Sequence, residues 1–190
     1  MLENVPAGVG KALAGLRAGF EKIVSEADFA STPETISLAS PAFEDEAPIP
    51  ARYTEDGEGV SPPLRWSDLP AGTEALVLIV EDPDAPTPHP LAHLLAWDLA
   101  PSPSDLAEAL FASPDHVGIH EILGRNSFLK AEYLPPDPPP GHGRHRYVFQ
   151  LYALDEALSF DTPPTREAIV EAMKARVLAK GLLIGTYERG

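Results

Sequence analysis

Proline is the feature of this sequence that most restricts how the chain can fold. The chain has 22 prolines among 190 residues, and two short stretches hold many of them. The first stretch, residues 82–90, contains four prolines, and the second, residues 134–143 (LPPDPPPGHG), contains five. Because proline fixes φ and has no backbone N–H, neither stretch can form a helix or the centre of a sheet. Each is therefore predicted to be a stiff loop.

Each stiff loop adjoins a predicted strand. Residues 75–80 are a short apolar run before the first loop, and residues 92–99 show the period of a strand after it. The second loop leads directly into residues 145–152, in which alternate residues share one face. These patterns predict a mainly β protein in which both loops sit at strand ends.

Two helices are predicted at the periphery. Apolar residues at helical spacing predict an amphipathic helix over residues 5–24, although its glycines weaken it as an isolated helix. A second helix is predicted from an N-cap at Thr165 to about Lys180, with Gly181 as its C-cap. Because strands and helices do not alternate regularly, a doubly wound parallel sheet is not expected.

Composition limits the class of protein. At 190 residues the chain suits one domain, which we place at residues 31–190, after an N-terminal helical extension of residues 1–30. A formal net charge of −15 disfavours nucleic acid and anionic lipid as partners, since both are bound through Lys and Arg. The absence of cysteine excludes disulfides and Cys-ligated metals. With neither a signal peptide nor a membrane-spanning run expected, we expect a cytoplasmic protein.

Ionisable side chains cluster where the two loops meet their strands. Asp82 and Asp84 lie in the first loop, His93 lies in the strand after it, and His145 and Tyr147 share one face of the strand after the second loop. If these strands are neighbours, the five side chains would line one pocket in which imidazoles and a phenol bind phosphate oxygens. Two simpler interpretations stay open: an ordinary turn whose Asp side chains bond nearby backbone N–H groups, and two unrelated core histidines.

These motifs resemble those of the phosphatidylethanolamine-binding proteins, also called Raf-kinase-inhibitor-like proteins. The resemblance is carried by Asp82–Pro86 (DPDAP), by the later His93 in a strand, and by residues 138–147, which join the second loop to its strand. It runs in family order from about residue 35 to the C-terminus. The short span between the two main motifs is similar to that of the bacterial and archaeal branch.

The resemblance implies a fold and a site. The implied fold is a β-sandwich of antiparallel sheets with peripheral helices, and the implied site is a small pocket for phosphate-like groups, including the phosphoethanolamine head. The implied ligand-binding residues are Asp82, Asp84, Pro86, His93, Pro139, His145 and Tyr147. Neither a metal nor another cofactor is expected. The resemblance also makes Pro83 and Pro86 candidates for cis peptide bonds, and Asp137 is expected to weaken phosphate binding or change the ligand preference.

Three functions stay open on the sequence. The first is a non-enzymatic binding and regulatory protein for a small anionic ligand. The second is a metal-assisted hydrolase that uses His93, His145 and an Asp, since these residue types ligate zinc or manganese, although the sequence has no HxH or HExxH pair. The third is an inhibitor of a kinase or protease, as some relatives are, for which an acidic surface would select basic partners. The N-terminal helix is also a candidate contact for a homodimer.

Overall fold

Two antiparallel sheets form the protein in the computed structural model, which describes residues 7–111 and 121–189. The strands are β1 Ser37–Ala39, β2 Leu64–Ser67, β3 Ala75–Asp82, β4 Leu91–Leu99, β5 Asp105–Leu106, β6 His145–Leu154 and β7 Val177–Tyr187. The smaller sheet has the order β1-β2-β5 and the larger one β4-β3-β6-β7. All strand pairs within them are antiparallel. The prediction of a mainly β fold of antiparallel sheets is confirmed.

The larger sheet is buried on both faces. On one face it packs against the smaller sheet, in a core that includes Leu78 and Phe149 of the larger sheet and Trp66 of the smaller one. On the other face, Val77 and Tyr152 belong to a second core that helices cover. A strand covered on both sides reads as a continuous apolar run, which is the pattern that predicts β3.

The N-terminal helix is shorter than the predicted residues 5–24, of which 5 and 6 lie outside the described residues. Helix α1 covers Ala7–Leu13, and a 3₁₀ turn at Phe20–Lys22 and a short helix α2, Val24–Ala27, follow it. Gly19 has φ of 112°, a backbone conformation that glycine adopts readily and that a helix cannot contain. The continuous helix is therefore wrong, because α1 already ends at Leu13 and Gly19 takes a non-helical conformation.

The second helix also ends earlier than predicted. Helix α3 covers Arg166–Met173, and the Thr165 side chain accepts a hydrogen bond from its first turn, as a cap should. Ala175 has φ of 64°, so the chain leaves the helix there and enters β7. Gly181 is therefore a strand residue and not a C-cap; a Cβ on it would lie 2.4 Å from the Ile36 carbonyl oxygen. None of the helices in the described ranges has the length and apolar character of a membrane span.

Part of the N-terminal segment is packed into the core. Ile23 and Val24 are fully buried, and Phe29 packs with Val24 in the core beneath the larger sheet. The Lys180 ammonium on β7 donates hydrogen bonds to the carbonyl oxygens of Ser25 and Phe29. These contacts join the segment to the sheet, while the domain boundary at residue 30 stays a prediction.

Candidate functional site

The ends of three neighbouring strands meet at one edge of the larger sheet. β3 ends at Asp82, β4 begins at Leu91 and β6 begins at His145. Because β4 and β6 both run antiparallel to β3, the last residues of β3 lie beside the first residues of both neighbours. The two proline-rich loops are therefore brought to the same edge.

A cavity of about 700 Å³ lies at this edge and is lined by residues of both loops. Six of the seven predicted ligand-binding residues line it, namely Asp82, Pro86, His93, Pro139, His145 and Tyr147. Asp84 lies outside the lining. The structure thus gathers the predicted residues, and their role in ligand binding stays a prediction.

Asp82, His145 and His142 form a line of hydrogen bonds at the cavity wall. Asp82 Oδ2 accepts from His145 Nδ1 at 2.7 Å, and His145 Nε2 lies 2.7 Å from His142 Nδ1. At the far end, His142 Nε2 donates to the carbonyl oxygens of Leu13 and Leu16, at 2.9 and 3.2 Å. The line therefore connects the cavity to the end of α1.

The hydrogen-bond partners of the two histidines indicate where the protons of this line lie. Carbonyl oxygens only accept, so His142 Nε2 carries a proton, and His145 Nδ1 carries the one that it donates to the Asp82 carboxylate. The contact between the two imidazoles needs a third proton. Three protons on the line of Asp82, His145 and His142 leave it without net charge. In this arrangement both nitrogens of His145 are engaged, so His145 has no ring nitrogen to offer a ligand.

His93 and Tyr147 each carry a buried polar atom that no described residue satisfies. These atoms are His93 Nε2 and Tyr147 Oη, and the side chains that bear them meet edge to face with ring centroids 5.1 Å apart. The other nitrogen of His93, Nδ1, donates to the Leu134 carbonyl oxygen at 2.8 Å. Burial lowers the pKa of His93 and raises the pKa of Tyr147 well above its usual value, so both are neutral near neutral pH. Since buried polar atoms are normally hydrogen-bonded, this pair marks the part of the cavity suited to a ligand.

Asp84 holds the first loop from behind the cavity. Its carboxylate accepts from the backbone N, Nε and Nη2 of Arg146 at 2.9, 2.7 and 2.8 Å, and Arg17 Nη1 lies 2.9 Å away. Burial alone would raise the pKa of Asp84, but the hydrogen bonds from Arg146 outweigh it and lower the pKa. The Asp84 N–H also donates to Asp82 Oδ1 at 2.8 Å, so the simple Asp turn and the assembled pocket are both present.

The lowered pKa of Asp84 predicts a pH-dependent contribution to stability. An aspartate has an unfolded-state pKa of about 3.9, so its stabilising effect is complete above about pH 4 and is lost as the pH falls through the folded-state value. We expect Asp84→Asn to lower the free energy of unfolding by about 2 kcal/mol at neutral pH, and by less in acid. Urea unfolding at both pH values measures this, with the exposed Glu74→Gln as a control that changes little. A loss that is the same at both pH values would contradict the expectation.

Asp137 lines the cavity beside a guanidinium group. Arg189 Nη1 donates to Asp137 Oδ1 at 2.6 Å, and Nε and Nη2 of the same side chain hold Asp56 at 2.9 and 2.6 Å. Although burial acts to lower the pKa of Arg189, the two carboxylates raise it. This pairing partly offsets the negative charge that was expected to weaken phosphate binding at Asp137.

The expectation of cis peptide bonds at Pro83 and Pro86 is wrong. The cis bond recorded in the described residues is Ser102–Pro103, so the bonds before Pro83 and Pro86 are trans. The first loop is held from outside instead, because the Ala18 N–H donates to the Ala85 carbonyl oxygen at 2.9 Å. The N-terminal segment thus contributes to the shape of the loop.

Four residues that organise the site were not predicted: His142, Arg17, Arg146 and Arg189. The signal for His142 was its position between two glycines, which have φ of 76° and 97° and allow the turn that returns this histidine to His145. Arg146 lies between the predicted residues His145 and Tyr147, on the opposite face of β6, and this position was its signal in the sequence. Arg17 and Arg189 come from distant parts of the chain, so no local pattern marks them.

The donor groups do not assemble a metal site. Within residues 7–111 and 121–189, no group of three or more His, Asp or Glu side chains is arranged to hold a metal ion. The nitrogens of His142 and His145 are taken up by each other, by Asp82 and by backbone carbonyls. Nothing in this geometry favours the metal-assisted hydrolase.

Comparison with known proteins decides the family. The family model described as phosphatidylethanolamine-binding protein matches residues 39–188. The chain belongs to the phosphatidylethanolamine-binding protein (PEBP) family. Its relatives include a UPF0098 protein of Chlamydia trachomatis, 40% identical over 158 residues that cover 81% of this chain and 99% of the relative. A UPF0098 protein of Pyrococcus abyssi is 38% identical over 157 residues, covering 82% of this chain and 87% of the relative.

Solved structures of PEBP proteins share the fold. A PEBP homologue of Chlamydia trachomatis has a TM-score of 0.73 and 39% identity, over 83% of this chain and 99% of that one. YbcL of E. coli, a PEBP family member, has a TM-score of 0.74 and 23% identity, over 82% and 99%. Membership in the PEBP family supports a binding protein of that type.

Proposed function

We propose that this PEBP protein is a non-enzymatic binding protein whose cavity takes small phosphate-like groups, including the phosphoethanolamine head group. The observation that carries the proposal is that two buried polar atoms without a partner among the described residues, His93 Nε2 and Tyr147 Oη, belong to side chains that line the cavity. A phosphate group offers several oxygens within a small radius, so one such group can satisfy both atoms at once. Asp82 and His145 line the cavity beside them and hydrogen-bond to each other.

The proposed site is preorganised. His93, His145 and Tyr147 lie on strands of the larger sheet, whose hydrogen-bond ladder fixes their positions. The loops that close the cavity are rich in proline and are tied down by Asp84 and Arg189. A rigid site loses little conformational entropy when a ligand binds, which suits a small head group with few contacts.

The proposal is tested by imidazole NMR during titration with phosphate and with O-phosphoethanolamine. We expect saturable shifts of the His93 signals and none at His89, an exposed histidine of the first loop that does not line the cavity. Tyr147→Phe should weaken the binding, because it removes one donor and preserves the ring. Shifts that are absent at His93, or that persist unchanged in Tyr147→Phe, would refute the proposed site.

A further inference from the structure

The protonation of His93 determines which phosphate species the cavity can hold. The Leu134 carbonyl oxygen only accepts, so the proton of neutral His93 is on Nδ1 and its Nε2 carries a lone pair. Burial, which lowers the pKa of His93, favours this neutral form. The groups that act electrostatically on the ring are Asp82 and Asp137, which favour its charged form, and His145, which disfavours it. A ligand must therefore bring a hydrogen-bond donor to Nε2.

Tyr147 has the complementary requirement. Its buried hydroxyl is protonated and has no partner among the described residues. A phenol O–H donates, so the most favourable ligand atom for it is an oxygen with a negative or partial negative charge. Because His93 and Tyr147 are neighbours, one phosphate group that carries both a P–OH and a charged oxygen would satisfy the two side chains.

The charged side chains that line the cavity also favour a monoanion over a dianion. The charged side chains among its lining residues are Glu55, Glu58, Asp82, Lys130, Glu132 and Asp137. Arg189 pairs with Asp137, His145 with Asp82, and Lys130 with Glu132, so the described lining residues bring no excess of positive charge to the cavity. A dianion would enter such a cavity at a cost that a monoanion largely avoids.

Given the proposed function, we propose that the cavity selects a phosphate monoester in its singly protonated form, and discriminates against sulfate and against phosphate diesters. The monoester monoanion has the P–OH that His93 Nε2 needs and the charged oxygen that Tyr147 needs. Sulfate and a phosphate diester are anions of similar shape that carry no proton near neutral pH. Above the second pKa of a phosphate monoester, which is about 6, binding therefore takes up one proton.

Calorimetric titration of the full chain with three probes tests this inference. The probes are O-phosphoethanolamine, a monoester; glycerophosphoethanolamine, the diester of the corresponding lipid head; and inorganic sulfate. We expect the monoester to bind at least about tenfold more tightly than the other two, and its affinity to fall about tenfold for each pH unit above about 6. Titrations in two buffers with different ionisation enthalpies should report an uptake of about one proton by the monoester complex.

Two variants separate the roles of the two residues. His93→Gln replaces the accepting nitrogen with an amide that can donate. The affinity for sulfate should therefore rise relative to the affinity for the monoester, and the affinity for the monoester should depend less on pH. Tyr147→Phe should weaken the binding of all three probes and leave the ratio of their affinities unchanged. The urea unfolding transition of each variant verifies its fold. If either variant fails to fold, the ratio of the three affinities in the unmodified protein tests the inference.

The outcomes distinguish this inference from the function on which it rests. If sulfate or the diester binds as tightly as the monoester, or with the same proton uptake, the proton resides on His93 and the inference is wrong, while the proposed phosphate-binding function stands. If none of the three probes binds, the proposed function fails as well. Tight binding of the diester alone would identify a lipid head group as the ligand and would likewise overturn the inference.

Discussion

A chain that begins at Thr32 is expected to lose most of its free energy of unfolding. It would lack Ile23, Val24 and Phe29, which are buried against the larger sheet. Burying a side chain of this size contributes about 1.5–3 kcal/mol, so the loss is about 5 kcal/mol or more. Because domains of this size are stable by only about 5–15 kcal/mol, the shortened chain should unfold at much lower urea concentration or not fold. Unfolding followed by tryptophan fluorescence and far-ultraviolet circular dichroism measures the loss.

A chain that begins at Arg17 is the matched control. It keeps the contacts of Arg17 with Asp84 and of Ala18 with the first loop, and it removes α1 with the carbonyl oxygens that accept from His142. We expect it to lose only about 1 kcal/mol, the net contribution of about one hydrogen bond. If the chain starting at Thr32 unfolds at the same urea concentration as the full chain, the segment is an appendage and the expectation is wrong.

His145→Leu is expected to lower the free energy of unfolding by about 3 kcal/mol. The substitution introduces an apolar side chain of moderate size and leaves Asp82, whose side chain is only 4% exposed, without its hydrogen-bond partner. It also removes the partner of His142 Nδ1. A buried charge that loses its partner is costly because it has been removed from water and gains nothing in return. Urea unfolding at neutral pH gives the difference.

A double-mutant cycle with Asp82→Asn separates the charge from the lost packing. Asp82→Asn removes the buried negative charge, so adding it to His145→Leu should recover part of the lost stability, with a coupling energy of about 1–3 kcal/mol. Strictly additive effects would mean that the two residues do not interact energetically, and would contradict the paired arrangement of the site.

The strands that carry the site were predictable, and the helix ends were not. Residues 75–80 read as a buried strand because both faces of the sheet are covered, and residues 145–152 followed from their period of two. The single helix predicted over residues 5–24 was wrong because apolar spacing reveals neither the end of α1 at Leu13 nor the non-helical φ of Gly19. The predicted end of the second helix was wrong because Ala175, an ordinary helix former, takes a left-handed conformation where the chain turns into β7.

Six residues of the cavity lining could be predicted from motifs, whereas the residues that support them could not. Each predicted residue lies in or beside a proline-rich loop, where stiffness and chemistry coincide in the sequence. Arg17 and Arg189 reach the site from opposite ends of the chain, through contacts that only tertiary structure creates. A kinase or protease partner, a homodimer and the cytoplasmic location concern other molecules or the cell, and they stay predictions.

The cavity lining comprises side chains carried by strands and side chains carried by loops. His93, His145 and Tyr147 lie on strands of the four-stranded sheet, whereas the lining residues within 55–59 and 126–139 lie outside any strand. Insertions or deletions in those segments would change the loop part of the lining and leave in place the groups that the strands carry. Changes in these loops could alter which molecules enter while the groups that bind them stay the same. Related chains can therefore differ in their ligands and still share one fold.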